Sequence, residues 1–244
     1  MKRIYLDHAA TTPLDKEVLK AMKPFLTKKF GNASSLHHFG REAREAIEKS
    51  REIILKKAKA KEHELIFTSG GTEANNFAIK GIAFANKKKG KHIITTKIEH
   101  DCVLNACKWL EHQGFDITYL NVDHEGFVDI NELEKFIRKD TILVSIIHAN
   151  NEIGTIQNLE EIGKICKRHE VYFHTDACQS FMKTKIDLEY VDLVTINAHK
   201  IYGPKGIGGL LIRKGVKIDP LLHGGGHEFG FRSGTENVPG IVGF

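Results

Sequence analysis

The sequence predicts an α/β fold: a mostly parallel (mixed) seven-stranded sheet with helices on both faces. Two observations carry that expectation. From Glu64 onward, short apolar runs rich in β-branched residues alternate with longer stretches of helical pattern, the order that builds a sheet covered on both sides. Those runs also end repeatedly on polar or glycine-rich turns, and an open α/β sheet binds its ligands at the carboxyl ends of its strands. With 244 residues the chain can bury a substantial core. It divides into an N-terminal extended segment, 1–14, and one large domain, 15–244, whose last part, 221–244, reads as glycine-rich loop without a closing element.

The first stretch, Ile4 to Thr12, is extended and breaks at Pro13. A helix follows from about Asp15, a capping residue, with Val18, Leu19, Met22 and Leu26 on one face. Phe30-Gly31-Asn32-Ala33-Ser34-Ser35 makes a turn. A longer helix then runs to about Lys59, striped with Phe39, Ala43, Ala46, Ile47 and Ile54 and charged on its other side. Strands are expected at about 64–68, 92–97, 116–122, 141–147, 171–176, 192–197 and 208–213, with helices at 72–86, 99–112, 130–138 and 159–169.

Composition excludes several classes of function. No apolar run approaches membrane-spanning length and the N-terminus has no signal-peptide apolar core, so a cytoplasmic location is expected. The net charge of +5 is spread over many helical lysines, and the sharpest cluster, 86–91, reads as a solvated loop. No aromatic-interleaved basic motif accompanies it, which disfavours direct nucleic-acid binding. Cys102, Cys107, Cys166 and Cys178 lack C-x-x-C spacing, and the 14 histidines show no H-E-x-x-H pattern, so no metal site is expected.

The chemistry gathers between Val171 and Gly208. One strand ends at Asp176 with Gln179 just beyond; the next ends at Asn197, His199 and Lys200, before the turn Gly203-Pro204-Lys205-Gly206. An acid and a lysine leaving neighbouring strand ends face one crevice. That pair suits pyridoxal 5′-phosphate, which needs an amine for a Schiff base and an acid beside its ring nitrogen. Ser69-Gly70-Gly71-Thr72, between a strand and a helix, reads as a phosphate cup or as a simple turn. His100 starts a helix after a strand; it either stacks on an aromatic cofactor and shuttles protons or is an ordinary helix-start residue. Asn150 and Asn151 can bond a cofactor oxygen or cap a turn, and the stretch from His223 to Asn237 is an anion-binding loop or one that orders against a partner chain.

With these pieces in place, the chain resembles the cysteine desulfurases of the class V aminotransferase group, through YLDHAATTP, FGNASSLH, FTSGGTEANN, IEHDCVL, HANNEIGTIQ, HTDACQS, AHKIYGPKGIGGL and RSGTENVPGIVGF. The resemblance implies the large domain of a fold-type-I pyridoxal-phosphate transferase. It implies that Lys200 is the Schiff-base lysine, Asp176 pairs with the pyridine nitrogen, Gln179 holds the ring hydroxyl, Asn151 lies beside the cofactor and His100 stacks over it. Gly71, Thr72 and His199 would take the phosphate, with Thr235 reaching across from the second subunit of a homodimer. Asn197 stands where the family commonly has a phosphate-binding serine. The implied reaction converts L-cysteine to L-alanine and a persulfide, for a sulfur-acceptor or iron–sulfur scaffold protein, in iron–sulfur cluster assembly or tRNA thiolation.

Family members continue past the position of Phe244 into a portion carrying the nucleophilic cysteine and an arginine for the substrate carboxylate. The expectation is therefore a C-terminally truncated member, its small domain largely missing, prone to poor solubility or self-association. Cys102 and Cys178 fall near cofactor residues, where inert buried thiols are expected. Two other functions compete: a non-catalytic dimerising or interaction remnant of the fold, and a related lyase acting on selenocysteine or another amino acid.

Overall fold

Apolar residues on both faces of most strands force helices onto both sides of the sheet. The computed structural model describes residues 3–244. Two helices come first, α1 (Lys16–Thr27) and α2 (His38–Ala58). The alternating part then runs through β1 (His63–Thr68), α3 (Gly71–Asn86), β2 (His92–Thr96), α4 (Asp101–Glu111), β3 (Asp116–Leu120), α5 (Ile130–Phe136), β4 (Thr141–Ser145), α6 (Leu159–Arg168) and β5 (Tyr172–Asp176). It ends with β6 (Leu193–Asn197), β7 (Gly208–Arg213) and α7 (Val238–Gly243).

The strands form one sheet in the order β1-β7-β6-β5-β4-β2-β3. From β3 to β6 neighbouring strands run parallel; β7 is antiparallel to both β6 and β1. Successive residues point to opposite faces. Thus Leu65, Val194 and Leu211 join the apolar layer that includes Ile47 and Ile54 of α2 and Ile162 and Ile165 of α6. Their neighbours Ile66, Leu193 and Leu210 join the other layer, with Phe77 and Ile82 of α3 and Val103 and Leu110 of α4. Each fully buried side chain of this size contributes about 1.5–3 kcal/mol.

All seven strands are present, and the differences from expectation have local causes. The strand expected to reach Val122 ends at Leu120, leaving Val122 in an isolated bridge to Val128. The strand expected to reach Ile147 ends at Ser145, although Ile146 and His148 N–H still donate to His174 O and Asp176 O of β5. The helix expected over 99–112 starts at Asp101, since the His100 ring caps it by accepting from Cys102 N–H. The helix expected to reach Arg138 stops at Phe136, with Ile137 already extended.

Two corrections are larger. Segment 221–244 does have a closing element: α7, capped by the Asn237 side chain accepting from Gly240 N–H and carrying proline in its first turn. Val238 and Ile241 of α7 are buried in the core layer beside α2. Gly243 lies against Met22, whose Sδ would stand 2.6 Å from a Cβ placed there, so glycine lets α1 approach α7. Secondly, the apolar stripe expected on α1 is rotated. Val18, Met22 and Phe25 are half-buried, whereas Leu19 and Leu26 stay exposed.

Candidate active site

The carboxyl ends of β5 and β6 meet side by side, with Asp176 opposite Thr195 in register. Asp176 is the last residue of β5 and Asn197 the last of β6; His199 and Lys200 follow in a tight turn where Ile201 and Gly203 N–H both donate to Ala198 O. The N-terminal extended segment clamps this turn. Thr12 donates its N–H and its hydroxyl to His199 O, each at 2.9 Å, and accepts from Tyr202 N–H at 2.8 Å. Gln179 Nε2 donates to Ala9 O at 2.8 Å, and Thr11 Oγ1 lies 3.1 Å from His199 Nδ1. The opening motif thus forms one wall of the site.

A second wall is the start of α3. Gly70 stands at the N-cap with φ +153°, a value that favours glycine, and no side chain caps the helix. The N–H groups of Gly71 and Thr72 have no hydrogen-bond partner among the described residues. A Cβ on Gly71 would lie 2.5 Å from Cys178 Sγ, so glycine is what allows this close approach. Free N–H groups and the positive helix end make an anion seat.

Asp176 is buried and accepts two hydrogen bonds, from Cys178 N–H (2.9 Å) and from Asn75 Nδ2 (2.6 Å). It makes no ion pair among the described residues. Nor does the Lys200 amine, which has no hydrogen-bond partner there either. Burial first, and the Asp176 charge second, push the Cys102 thiol up to about 11. The same two causes raise Cys178 well above the ordinary thiol range. Both thiols therefore stay protonated near neutral pH, as weak nucleophiles. Burial, then the Lys200, Lys205 and Lys183 charges, lower the pKa of His199, which favours the neutral ring. Behind this layer, burial lifts Glu99 to about 8; its Oε1 accepts from Thr96 Oγ1 and Ile147 N–H.

Nine of the ten expected site residues line one cavity of about 510 Å³: Gly71, Thr72, His100, Asn151, Asp176, Gln179, Asn197, His199 and Lys200. Thr235 does not. It is exposed and lines a separate cavity with Ser69 and Arg232. Two residues also have partners that sequence reading did not supply. Both ends of the Gln179 amide are engaged, by Ala9 O and by Lys183 Nζ, and Asn151 Nδ2 donates to Glu152 Oε1. Sequence reading missed Asn75, Asp7 and Glu152 as lining residues. Asn75 sits in the FTSGGTEANN stretch, and its signal was a polar residue on the buried face of a helix.

This donor set fits pyridoxal 5′-phosphate. A buried carboxylate without a countercharge matches a protonated ring nitrogen, and an unengaged amine shares its cavity. The open N–H groups of α3 match a phosphate, with Thr72 and His199 beside them. Asn197 Oδ1 is buried without a partner while its Nδ2 faces the start of α3, so its amide has hydrogen-bonding capacity in hand.

A profile of the aminotransferase class-V family matches residues 4–244. The cysteine desulfurase IscS of Dictyoglomus turgidum is 63% identical over 246 residues, covering 100% of this chain and 62% of the relative. The protein of the same name from Methanosarcina thermophila is 56% identical, covering 99% of this chain and 60% of the relative. This chain therefore spans about three fifths of the length of those relatives. Among solved structures, a NifS-like protein superimposes with TM-score 0.95 at 47% identity, over 99% of this chain and 67% of the other. A structure described as SspA in complex with cysteine also gives 0.95, at 45% identity, over 99% of this chain and 71% of the other. With a family profile spanning nearly every residue and a fold shared at that identity, the chain belongs to the class-V aminotransferase family, whose cofactor is pyridoxal 5′-phosphate.

Proposed function

We propose that this chain works as a cysteine desulfurase, taking sulfur from L-cysteine to leave L-alanine and a persulfide on an acceptor thiol. One observation carries the reading: Lys200 and Asp176 leave adjacent strand ends and line one cavity whose other walls offer an anion seat. The names of the relatives and the solved complex with cysteine support the choice of substrate. When bound, the cofactor supplies an electron sink next to the substrate's α-carbon. Lys200 Nζ would hold the cofactor and, as a free amine, would move the substrate's α-proton. Asp176 would accept from the ring N–H and keep that nitrogen protonated, while Asn75 Nδ2 and Cys178 N–H hold the carboxylate in position. Gly71, Thr72, His199 and Asn197 would hold the phosphate.

In the sulfur step an acceptor thiolate forms an S–S bond to the substrate's sulfur as the C–S bond breaks; the electron pair stays with the three-carbon unit, which takes up a proton and leaves as alanine, so no outside oxidant is needed. Neither cavity cysteine suits the acceptor role, because both are held protonated. The acceptor thiol is therefore assigned to another segment or a separate acceptor or iron–sulfur scaffold protein, in cluster assembly or tRNA thiolation in the cytoplasm. A homodimer belongs to the same proposal. Thr235 stands outside the cavity that holds Lys200 and Asp176, and Phe30, Leu36 and Phe229 are exposed apolar surface for a second copy. No helix among the described residues is long and apolar enough to cross a membrane.

The test is to supply the protein with pyridoxal phosphate, L-cysteine and dithiothreitol as acceptor. Alanine and sulfide formed in equal amounts support the reading. Cofactor bound at Lys200 with neither product formed contradicts it, and product from L-selenocysteine alone favours the lyase alternative.

A further inference from the structure

The amide of Asn75 makes two hydrogen bonds through one nitrogen: 2.6 Å to Asp176 Oδ2 and 3.1 Å to Cys102 Sγ. Its orientation is fixed by charge, since a flipped amide would aim its oxygen at the carboxylate. The consequence is visible at the other end of the amide, where Oδ1 is buried without any partner. Cys102 Sγ lies 3.0 Å from His100 Nδ1, and Cys102 N–H donates to that same nitrogen at 3.2 Å. A backbone N–H can only donate, so Nδ1 must present its lone pair. The sulfur, already accepting from Asn75, then has its own proton to give to Nδ1. Burial keeps that proton on the sulfur at neutral pH.

We infer that Cys102 and Asn75 are positioning residues: with Asp176 they form a continuous hydrogen-bonded chain that holds His100 as the tautomer protonated on Nε2. Every link has a defined donor. Asn75 donates to Asp176 and to Cys102, and Cys102 donates through sulfur and backbone to His100. The chain joins two residues that lie 76 positions apart in sequence, through a helix (α3) that carries neither. Nε2 has no partner among the described residues, while His100 lines the cavity. A neutral ring fixed in this tautomer offers the cavity an N–H and no lone pair, so its plane and polarity are set before any ligand arrives. What that does for catalysis rests on the proposed desulfurase reading; the tautomer itself does not.

The experiment is two-dimensional ¹H–¹⁵N NMR of the imidazole resonances in protein uniformly labelled at histidine, without cofactor, with His100 assigned through His100→Gln. The expected wild-type spectrum shows His100 protonated on Nε2, with Nδ1 shifted as a hydrogen-bond acceptor. Cys102→Ser, which keeps a side-chain donor, leaves that pattern; Cys102→Val, of similar volume but without one, moves the Nδ1 resonance, while the backbone N–H that remains still holds the tautomer protonated on Nε2. Asn75→Ala shifts the same resonance, since it releases the sulfur. A wild-type ring protonated on Nδ1 overturns the inference whatever the variants do. A Cys102→Val spectrum identical to wild type overturns the role of the thiol, and a silent Asn75→Ala overturns the continuity to Asp176. All three outcomes are read without turnover, so they stand apart from whether L-cysteine is the substrate.

Discussion

Two regions of the molecule are rich in polar residues, and they are held in opposite ways. The ends of β5 and β6 are carried by the sheet: strand register places Asp176 and Asn197, and the buried residues on either side leave them little freedom. The glycine-rich segment from His223 to Asn237 packs Phe231 against the layer of α3 and α4 and is otherwise fastened largely by charge. Arg51 and Glu228 form a buried two-pronged ion pair, 2.9 Å at each prong, and Glu228 also accepts from Phe67 N–H. The Arg51 guanidinium lies between the Phe67 and Phe229 rings, 4.8 and 4.9 Å from their centres. Arg232 pairs with Glu73 on α3. Glu228 and Phe229 are consecutive left-handed residues, φ 49° and 59°, a conformation that needs such fastening. The lesson is that the residues expected to do chemistry sit where the backbone is fixed by packing. Thr235, expected to serve a second copy, sits where the backbone is fixed by two ion pairs.

The comparison breaks most visibly at the strand ends. Lys200→Ala should lower turnover of L-cysteine by about 10²–10⁴-fold while leaving the thermal midpoint near that of wild type, because the amine has no partner to lose. Activity assay and calorimetry on one preparation check both halves. Next in size is Arg51→Met. Removing one member of a buried pair strands the other and costs about 3–5 kcal/mol. Hydrogen exchange should quicken across 223–237 well before it quickens in β5 and β6. Equal quickening in both regions would show that the segment and the strand ends are not held independently.

Acid and base act on different layers. Glu99 is raised to about 8 in the folded state, so folding binds its proton more tightly than the open chain does. Its destabilising effect is absent below about pH 4.5, grows as pH rises, and is complete above about 8. Glu99→Gln keeps an acceptor for Thr96 and Ile147 and should raise the denaturation midpoint at pH 8 but not at pH 4.5. His174, fully enclosed between Ser145 and Thr195, works in the other direction. Burial lowers it to about 4, so stability falls as pH drops from about 6.5 towards 4. His174→Gln should flatten that acid limb. The smallest effect is expected from Glu73→Gln, which weakens a partly buried pair by about 1 kcal/mol and loosens only the Arg232 end of the segment.

Much of this was legible in the sequence because it is local. Most strands announce themselves by short apolar runs, several of them β-branched, and Asp176 and Lys200 are found by where such runs stop. The capping Asp15 and the Gly70-Gly71 turn are likewise short-range signals. What was not legible depends on contacts between distant parts of the chain. Asn75 meets Asp176 across 101 positions, and nothing local separates it from an ordinary helix residue. The clamp of Thr12 on the Lys200 turn spans 187 positions. Helix α7 was hidden by its two glycines, although Asn237 and Pro239 are an N-cap and a first-turn proline. Leu19 and Leu26 misled because an amphipathic stripe shows which face is apolar, while packing against α7 decides which part of it is covered.

The central claim is that Lys200 and Asp176 grip one cofactor from adjacent strand ends. The measurement that tests it most directly is reduction of the pyridoxal-phosphate-loaded protein with borohydride, followed by peptide mass mapping of wild type and Asp176→Ala. The account predicts cofactor mass on the Lys200 peptide in wild type and a sharply reduced yield in the variant. Label on another of the chain's lysines, or an undiminished Lys200 label without Asp176, would contradict it.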